Sequence, residues 1–141
     1  MSRTVDEAGL VALGRELGRT LPTGQVVWLT GDLGAGKTTF ARALVEGRGG
    51  GAAATSPTFA LTHRYEGRHG PVFHVDCYRL RHPDEAAELG WEDLVRGDLL
   101  LIEWPERAGP WAPAPDLTVH FEPAGDLDVR EVTLQPAGRG S

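Results

Sequence analysis

Apolar residues along this chain change their spacing several times, and each change marks an element. Leu10, Leu13 and Leu17 recur at near-helical intervals behind Thr4 and Glu7, which stand in capping-box spacing, and this predicts a helix over residues 5–18. After the Pro22-Thr23-Gly24 turn, residues 26–30 form a short apolar, β-branched run that stops at Gly31, the pattern of a buried strand. Residues 38–46 return to helical composition, with Phe40, Ala41, Leu44 and Val45 able to face a sheet and Gly47 placed to stop the helix. Residues 48–54, glycine and alanine with one arginine, read as a flexible connection with too little apolar surface to pack.

Two further strands, over 59–65 and 72–76, flank Gly67-Arg68-His69-Gly70 and suggest a hairpin. Pro83, Asp84 and Glu85 open a helix to residue 89, since proline suits a first helical turn and acids suit its positive end. Residues 91–95 add one turn. Residues 99–102 are apolar without alternation, as expected of a strand covered on both faces. A loop rich in proline, alanine and glycine is expected over 107–115, and 117–121 and 129–134 alternate about Gly125-Asp126, predicting a terminal antiparallel hairpin. Residues 1–136 read as one α/β domain and 137–141 as a disordered tail.

The length of 141 residues, with 40% hydrophobic and 24% charged positions, suits one globular domain. No stretch approaches the roughly 20 apolar residues of a bilayer span. Residues 1–25 lack the basic head and apolar run of a secretory signal, so the expected compartment is the cytoplasm, with no membrane role. The one cysteine, Cys77, allows no intramolecular disulfide and reads as a small buried hydrophobe. A net charge of −6, from 14 bases and 20 acids, argues against holding a nucleic acid by bulk attraction, so any such role is expected to be indirect. Thirteen of those 14 bases are arginines; the remaining one is Lys37.

That lysine lies in GDLGAGKT at 31–38, which satisfies G-x-x-x-x-G-K-[ST] between a predicted strand and a predicted helix. Glycines let successive backbone amides turn toward one anion, and the helix adds its positive end. Gly34, Ala35, Gly36, Thr38 and Thr39 are therefore candidate phosphate-binding residues, with Lys37 reaching the β and γ phosphates and the Thr38 hydroxyl positioned for Mg²⁺. ATP is favoured over GTP, because a chain without asparagine cannot carry the Asn-Lys-x-Asp guanine motif.

Such a loop needs an acid at the end of a neighbouring strand to hold Mg²⁺. Asp76 and Glu103 compete. The fully apolar run before Glu103 favours it as the neighbour of the loop's strand, whereas Asp76 follows a run interrupted by His74. His74 itself reads as a packed strand histidine rather than a base. Thr58, in Ser56-Pro57-Thr58, has the place of a hydroxyl in a switch-like loop, or simply of a turn before a strand. Trp104 suits either the core or the rim of the site, Arg79 and Arg81 read as solvated, and no arginine finger is evident. A small-molecule kinase and a nucleotide-dependent assembly switch remain alternatives to a simple ATPase.

Together, GDLGAGKTTF at 31–40, SPTF at 56–59, HVDCYRL at 74–80 and IEWPE at 102–106 resemble, in order and spacing, the signatures of the bacterial TsaE (YjeE) ATPases of tRNA threonylcarbamoyladenosine biosynthesis. The resemblance implies a three-layer α/β/α P-loop domain that binds ATP and Mg²⁺, hydrolyses ATP slowly alone, and works with TsaD and TsaB, with TsaD and not this subunit transferring the threonylcarbamoyl group. It implies Mg²⁺ ligation by Thr38 and Glu103, help from Asp76 with metal or water, a switch-like loop at Thr58, and Trp104 near the site. It also places Glu7 and Arg130 at the border of the nucleotide.

Overall fold

The computed structural model describes residues 1–32, 36–51 and 62–137, with the backbone alone at 126–128. Strand β1 (Ser2–Val5) leads into α1 (Glu7–Thr20), β2 (Gln25–Gly31), α2 (Lys37–Gly47), β3 (Thr62–Gly67) and β4 (Gly70–Asp76). A 3₁₀ segment (Pro83–Leu89), the single turn α3 (Trp91–Leu94) and β5 (Leu99–Glu103) follow. A second 3₁₀ segment (Pro105–Trp111) and the hairpin of β6 (Leu117–Ala124) and β7 (Asp126–Pro136) complete the chain.

The seven strands form one sheet in the order β1-β7-β6-β2-β5-β4-β3. Strands β6, β2, β5 and β4 are parallel neighbours, while β3 and the β7–β1 pair extend the sheet antiparallel at its two sides. The uninterrupted apolar run of β5 is explained by its place: Leu99 and Leu101 pack under α1 and α2 with Val27, Leu29 and Phe40, and Leu100 and Ile102 face the opposite core with Val75 and Leu80. That second core is covered by the two 3₁₀ segments and α3, giving three layers. Helices α1 and α2 approach closely because Gly18 and Gly47 face each other's backbones; a Cβ on Gly18 would strike the Leu44 carbonyl, and one on Gly47 the Arg15 carbonyl.

Several expectations are corrected. Thr4 does not cap α1: it lies in β1, paired with Glu131 of β7, and Asp6 caps the helix by accepting from the Gly9 amide at 2.8 Å. Residues 83–89 coil as 3₁₀ rather than α, with His82 and Glu85 forming the capping box ahead of Pro83. Half of the expected loop over 107–115 is the Pro105–Trp111 segment. Arg48 is not part of a flexible connection. Only 2% exposed, it closes α2 and donates to both carboxylate oxygens of Asp98, at 2.6 and 2.9 Å. Gly50 is likewise tied, its amide donating to the Val45 carbonyl at 2.9 Å. The expected start of β3 at 59–61 and the tail after residue 137 lie outside the described residues.

Candidate nucleotide-binding site

In open parallel sheets, ligand sites form beyond the carboxyl ends of the strands. Here β4 and β5 end on one cavity of about 610 Å³, which the start of α2 also lines. It brings together Glu7, Gly36, Lys37, Thr38, Thr39, Asp76, Glu103, Trp104 and Arg130, all of them candidates from the sequence. Gly34, Ala35 and Thr58 lie outside the described residues. Arg79 and Arg81 are exposed and do not line the cavity.

The floor is the start of α2. Gly36 precedes it at φ 99°, a left-handed conformation that favours glycine, and a Cβ there would come within 2.8 Å of Leu10 Cδ2. Among the described residues no side chain caps the helix, and its first turn holds no acid, so its amino-terminal dipole meets no carboxylate from its own turn. Lys37, the first helical residue, is 4% exposed and donates to the carbonyls of Gly31 and Asp32 at 2.6 and 2.8 Å. Burial pulls its pKa below the ordinary lysine value, against the opposing charges of Glu103, Asp76, Glu106 and Asp32.

The acids come from the sheet. Strand β5 pairs directly with β2, and β4 with β5, so Glu103 is the acid nearer the loop's strand, as its apolar run suggested. Asp76 and Glu103 are register partners on parallel strands. The Thr38 hydroxyl donates to both Glu103 oxygens, at 3.2 and 3.1 Å, and the Asp76 side chain accepts from the Tyr78 amide at 3.0 Å. Burial would raise the Glu103 pKa, but the hydrogen bond and charge of His74, the Thr38 hydroxyl and the Lys37 ammonium bring it below the ordinary carboxylate range. Three of the four acids that act on Lys37 also act on the buried Cys77, whose thiol is pushed up to about 12, mainly by burial with Asp76, Glu106 and Glu103 adding to it. It is unreactive at neutral pH.

Trp104 closes the site from the far side of Glu103. Its φ of 57° is the one positive value outside glycine among the described residues, and it immediately precedes Pro105, a position where proline steers the backbone to extended conformations. This turn lays the indole 4.3 Å from the Lys37 ammonium and 5.0 Å from the Tyr78 ring, with the Arg107 guanidinium against both rings. The strain is held by stacking on charge and aromatic surface.

Glu7 and Arg130 reach the cavity through β1. Because β1 pairs with β7 in a register that sets Val5 opposite Arg130, the start of α1 stands beside the arginine and both line the cavity. Sequence reasoning missed Asp6, Ala8, Leu10 and Tyr78 on the lining, and the partner of Glu103: His74 Nε2 lies 2.6 Å from Glu103 Oε2. The i, i+2 spacing of His74 and Asp76 on one strand was the available signal, since it puts both on the face that carries Glu103.

A glycine, lysine and threonine at the start of a helix after a central parallel strand, facing strand-end acids, define an α/β fold of the P-loop type. Residues 4–132 match the family model described as "Threonylcarbamoyl adenosine biosynthesis protein TsaE". The chain is 35% identical over 137 residues to the tRNA threonylcarbamoyladenosine biosynthesis protein TsaE of Bacillus subtilis, covering 96% of this chain and 85% of that protein. It is 39% identical over 132 residues to the protein of the same description from Streptomyces coelicolor, covering 89% of each. Its 42% identity to the Rickettsia conorii protein covers 67% of this chain and 54%, about half, of that one. The crystal structure of Bacillus subtilis YdiB superposes with a TM-score of 0.77 at 30% identity, over 98% of this chain and 86% of that one. The chain belongs to the TsaE family.

Proposed function

We propose that this chain is a Mg²⁺-dependent ATPase subunit of tRNA threonylcarbamoyladenosine biosynthesis, working in the cytoplasm with TsaD and TsaB and meeting tRNA only through them. The observation that carries the reading is the contact of the Thr38 hydroxyl with Glu103, beside the buried Lys37 and at the unguarded start of α2. Those are the groups that phosphoryl transfer requires in one place.

The donor set fits Mg²⁺. Among the described residues no group of three or more His, Cys, Asp and Glu side chains converges as a metal cage. A hydroxyl and one or two carboxylates with phosphate oxygens are the usual company of this hard ion. Thr38 and Glu103 would hold it, with Asp76 assisting metal or water placement, and its contribution is to neutralise charge on the phosphate oxygens. The chain does the rest. Amides at the start of α2, with those of Gly34, Ala35, Gly36, Thr38 and Thr39, bind the phosphates. Lys37 exchanges its two carbonyl partners for β and γ phosphate oxygens, a favourable exchange for a desolvated ammonium. Trp104 screens the lysine from water, Glu7 and Arg130 border the nucleotide, and Thr58 serves as the hydroxyl of the switch-like loop.

Product analysis with γ-labelled ATP tests this reading. Phosphate released to water, slowly by the chain alone and faster with TsaD and TsaB, is the expected result; label transferred to a small acceptor would make it a kinase. Glu103→Gln should lower hydrolysis by about 100-fold or more while the protein stays folded.

A further inference from the structure

Glu103 is buried, and among the described residues its carboxylate accepts from two side chains only. One is Thr38, which reaches both oxygens. The other is His74, whose Nε2 lies 2.6 Å from Oε2 and makes its hydrogen bond to that oxygen alone. An ionised carboxylate accepts and never donates, so His74 carries its proton on Nε2. The side chains of His74 and Glu103 are 8% and 4% exposed, and both belong to central parallel strands rather than to loops. His74 pairs in register with Leu101, one pleat behind the Asp76–Glu103 pair, so it approaches the carboxylate from inside the sheet while the cavity lies on the other side.

We infer that His74 is the positioning residue of Glu103, pinning Oε2 from within the sheet so that Oε1 is the oxygen presented toward a cation beside Thr38. The inference rests on the proposal that Thr38 and Glu103 face Mg²⁺. When the Thr38 hydroxyl turns to the cation, His74 is the one donor that keeps the carboxylate from rotating. Partners of this kind fix the orientation of a ligating group, and removing them costs about 10- to 100-fold in metal affinity or activity.

The test uses the full chain as wild type, His74→Leu and His74→Gln, with calorimetric titration of a non-hydrolysable ATP analogue with and without Mg²⁺, alongside steady-state hydrolysis. His74→Leu removes the donor; glutamine returns an amide donor at comparable reach. The expected result is metal-free affinity within about twofold of wild type in both variants, and a gain in affinity on adding Mg²⁺ that is at least about 10-fold smaller in the leucine variant. The kcat of that variant should fall about 10- to 100-fold with KM for ATP little changed, and glutamine should recover most of both losses. If leucine folds poorly, His74→Asn, whose amide is too short to reach Oε2, replaces it with the same expected deficit. A leucine or asparagine variant with the wild-type Mg²⁺ gain overturns the inference alone, as does a glutamine variant as deficient as leucine. A wild-type chain that gains nothing from Mg²⁺ overturns both the inference and the reading beneath it.

Discussion

At the amino end of the parallel strands Arg48 and Asp98 are buried together, and at the carboxyl end Lys37 and Glu103 are. Arg48 spends its donors on permanent partners: both oxygens of Asp98, and the carbonyls of Gly18 and Leu21 at 2.9 and 2.5 Å. Asp98 also accepts from the Thr23 hydroxyl at 2.6 Å, its backbone carbonyl accepts from Gly24 and its amide donates to Pro71. This knot ties the ends of α1 and α2 to the starts of β2, β4 and β5. Lys37 instead holds two carbonyls of its own loop, and Glu103 a hydroxyl and an imidazole, around a cavity open to ligand. A saturated buried ion pair specifies structure, whereas charge held by exchangeable partners beside open volume is poised for a ligand.

The comparison breaks most visibly at the amino end. Arg48→Met should destabilise the fold by about 3–5 kcal/mol, because it strands a buried carboxylate, and Arg48→Met with Asp98→Leu should lose less than the single change. Urea denaturation midpoints check both. Next in size, Lys37→Ala should weaken nucleotide binding about 10- to 100-fold while moving the urea midpoint far less than Arg48→Met does. Equal losses of stability at the two ends would erase the distinction.

A smaller effect follows from acid. Burial acts to raise the Asp98 pKa, but the hydrogen bonds from Arg48 and Thr23 and the charges of Arg48 and His69 hold it below the ordinary value. The depressed carboxyl therefore contributes stability in full above its unfolded pKa of about 3.9, and loses it as pH falls through the folded value. Urea midpoints should fall steeply below about pH 4 in the wild type and less steeply in Asp98→Asn. Smallest, Gly36→Ala should cost about 1–2 kcal/mol for the left-handed backbone, seen in the urea midpoint, with weaker nucleotide binding as the added Cβ presses on Leu10.

Much of the carboxyl end was legible in the sequence, because its chemistry is written in local spacing. The phosphate loop is contiguous, and the run at 99–102 announced a doubly covered strand with Glu103 at its end. The amino end was not. Arg48 sits among glycines that suggest freedom, and its partner is 50 residues away, so only the folded sheet brings the two together. Strand β1 escaped for a related reason: Ser2–Val5 carries no apolar alternation and is a strand because β7 offers it an edge. His74 was seen and set aside as packing. It is packed, yet against a carboxylate that lines the cavity. The left-handed turn of Trp104 could not be read from residue types, since Trp-Pro favours extended backbone.

The central claim is that the cavity at the carboxyl ends of β4 and β5 receives the phosphates of an adenine nucleotide on Lys37 and the start of α2. Calorimetric titration of the purified chain with ATP in Mg²⁺, set beside Lys37→Ala, measures it directly. The account predicts one saturable site whose affinity falls about 10- to 100-fold in the variant although its urea curve is retained. Absence of any heat with ATP or ADP in the wild type, or binding that Lys37→Ala leaves unchanged, would contradict it.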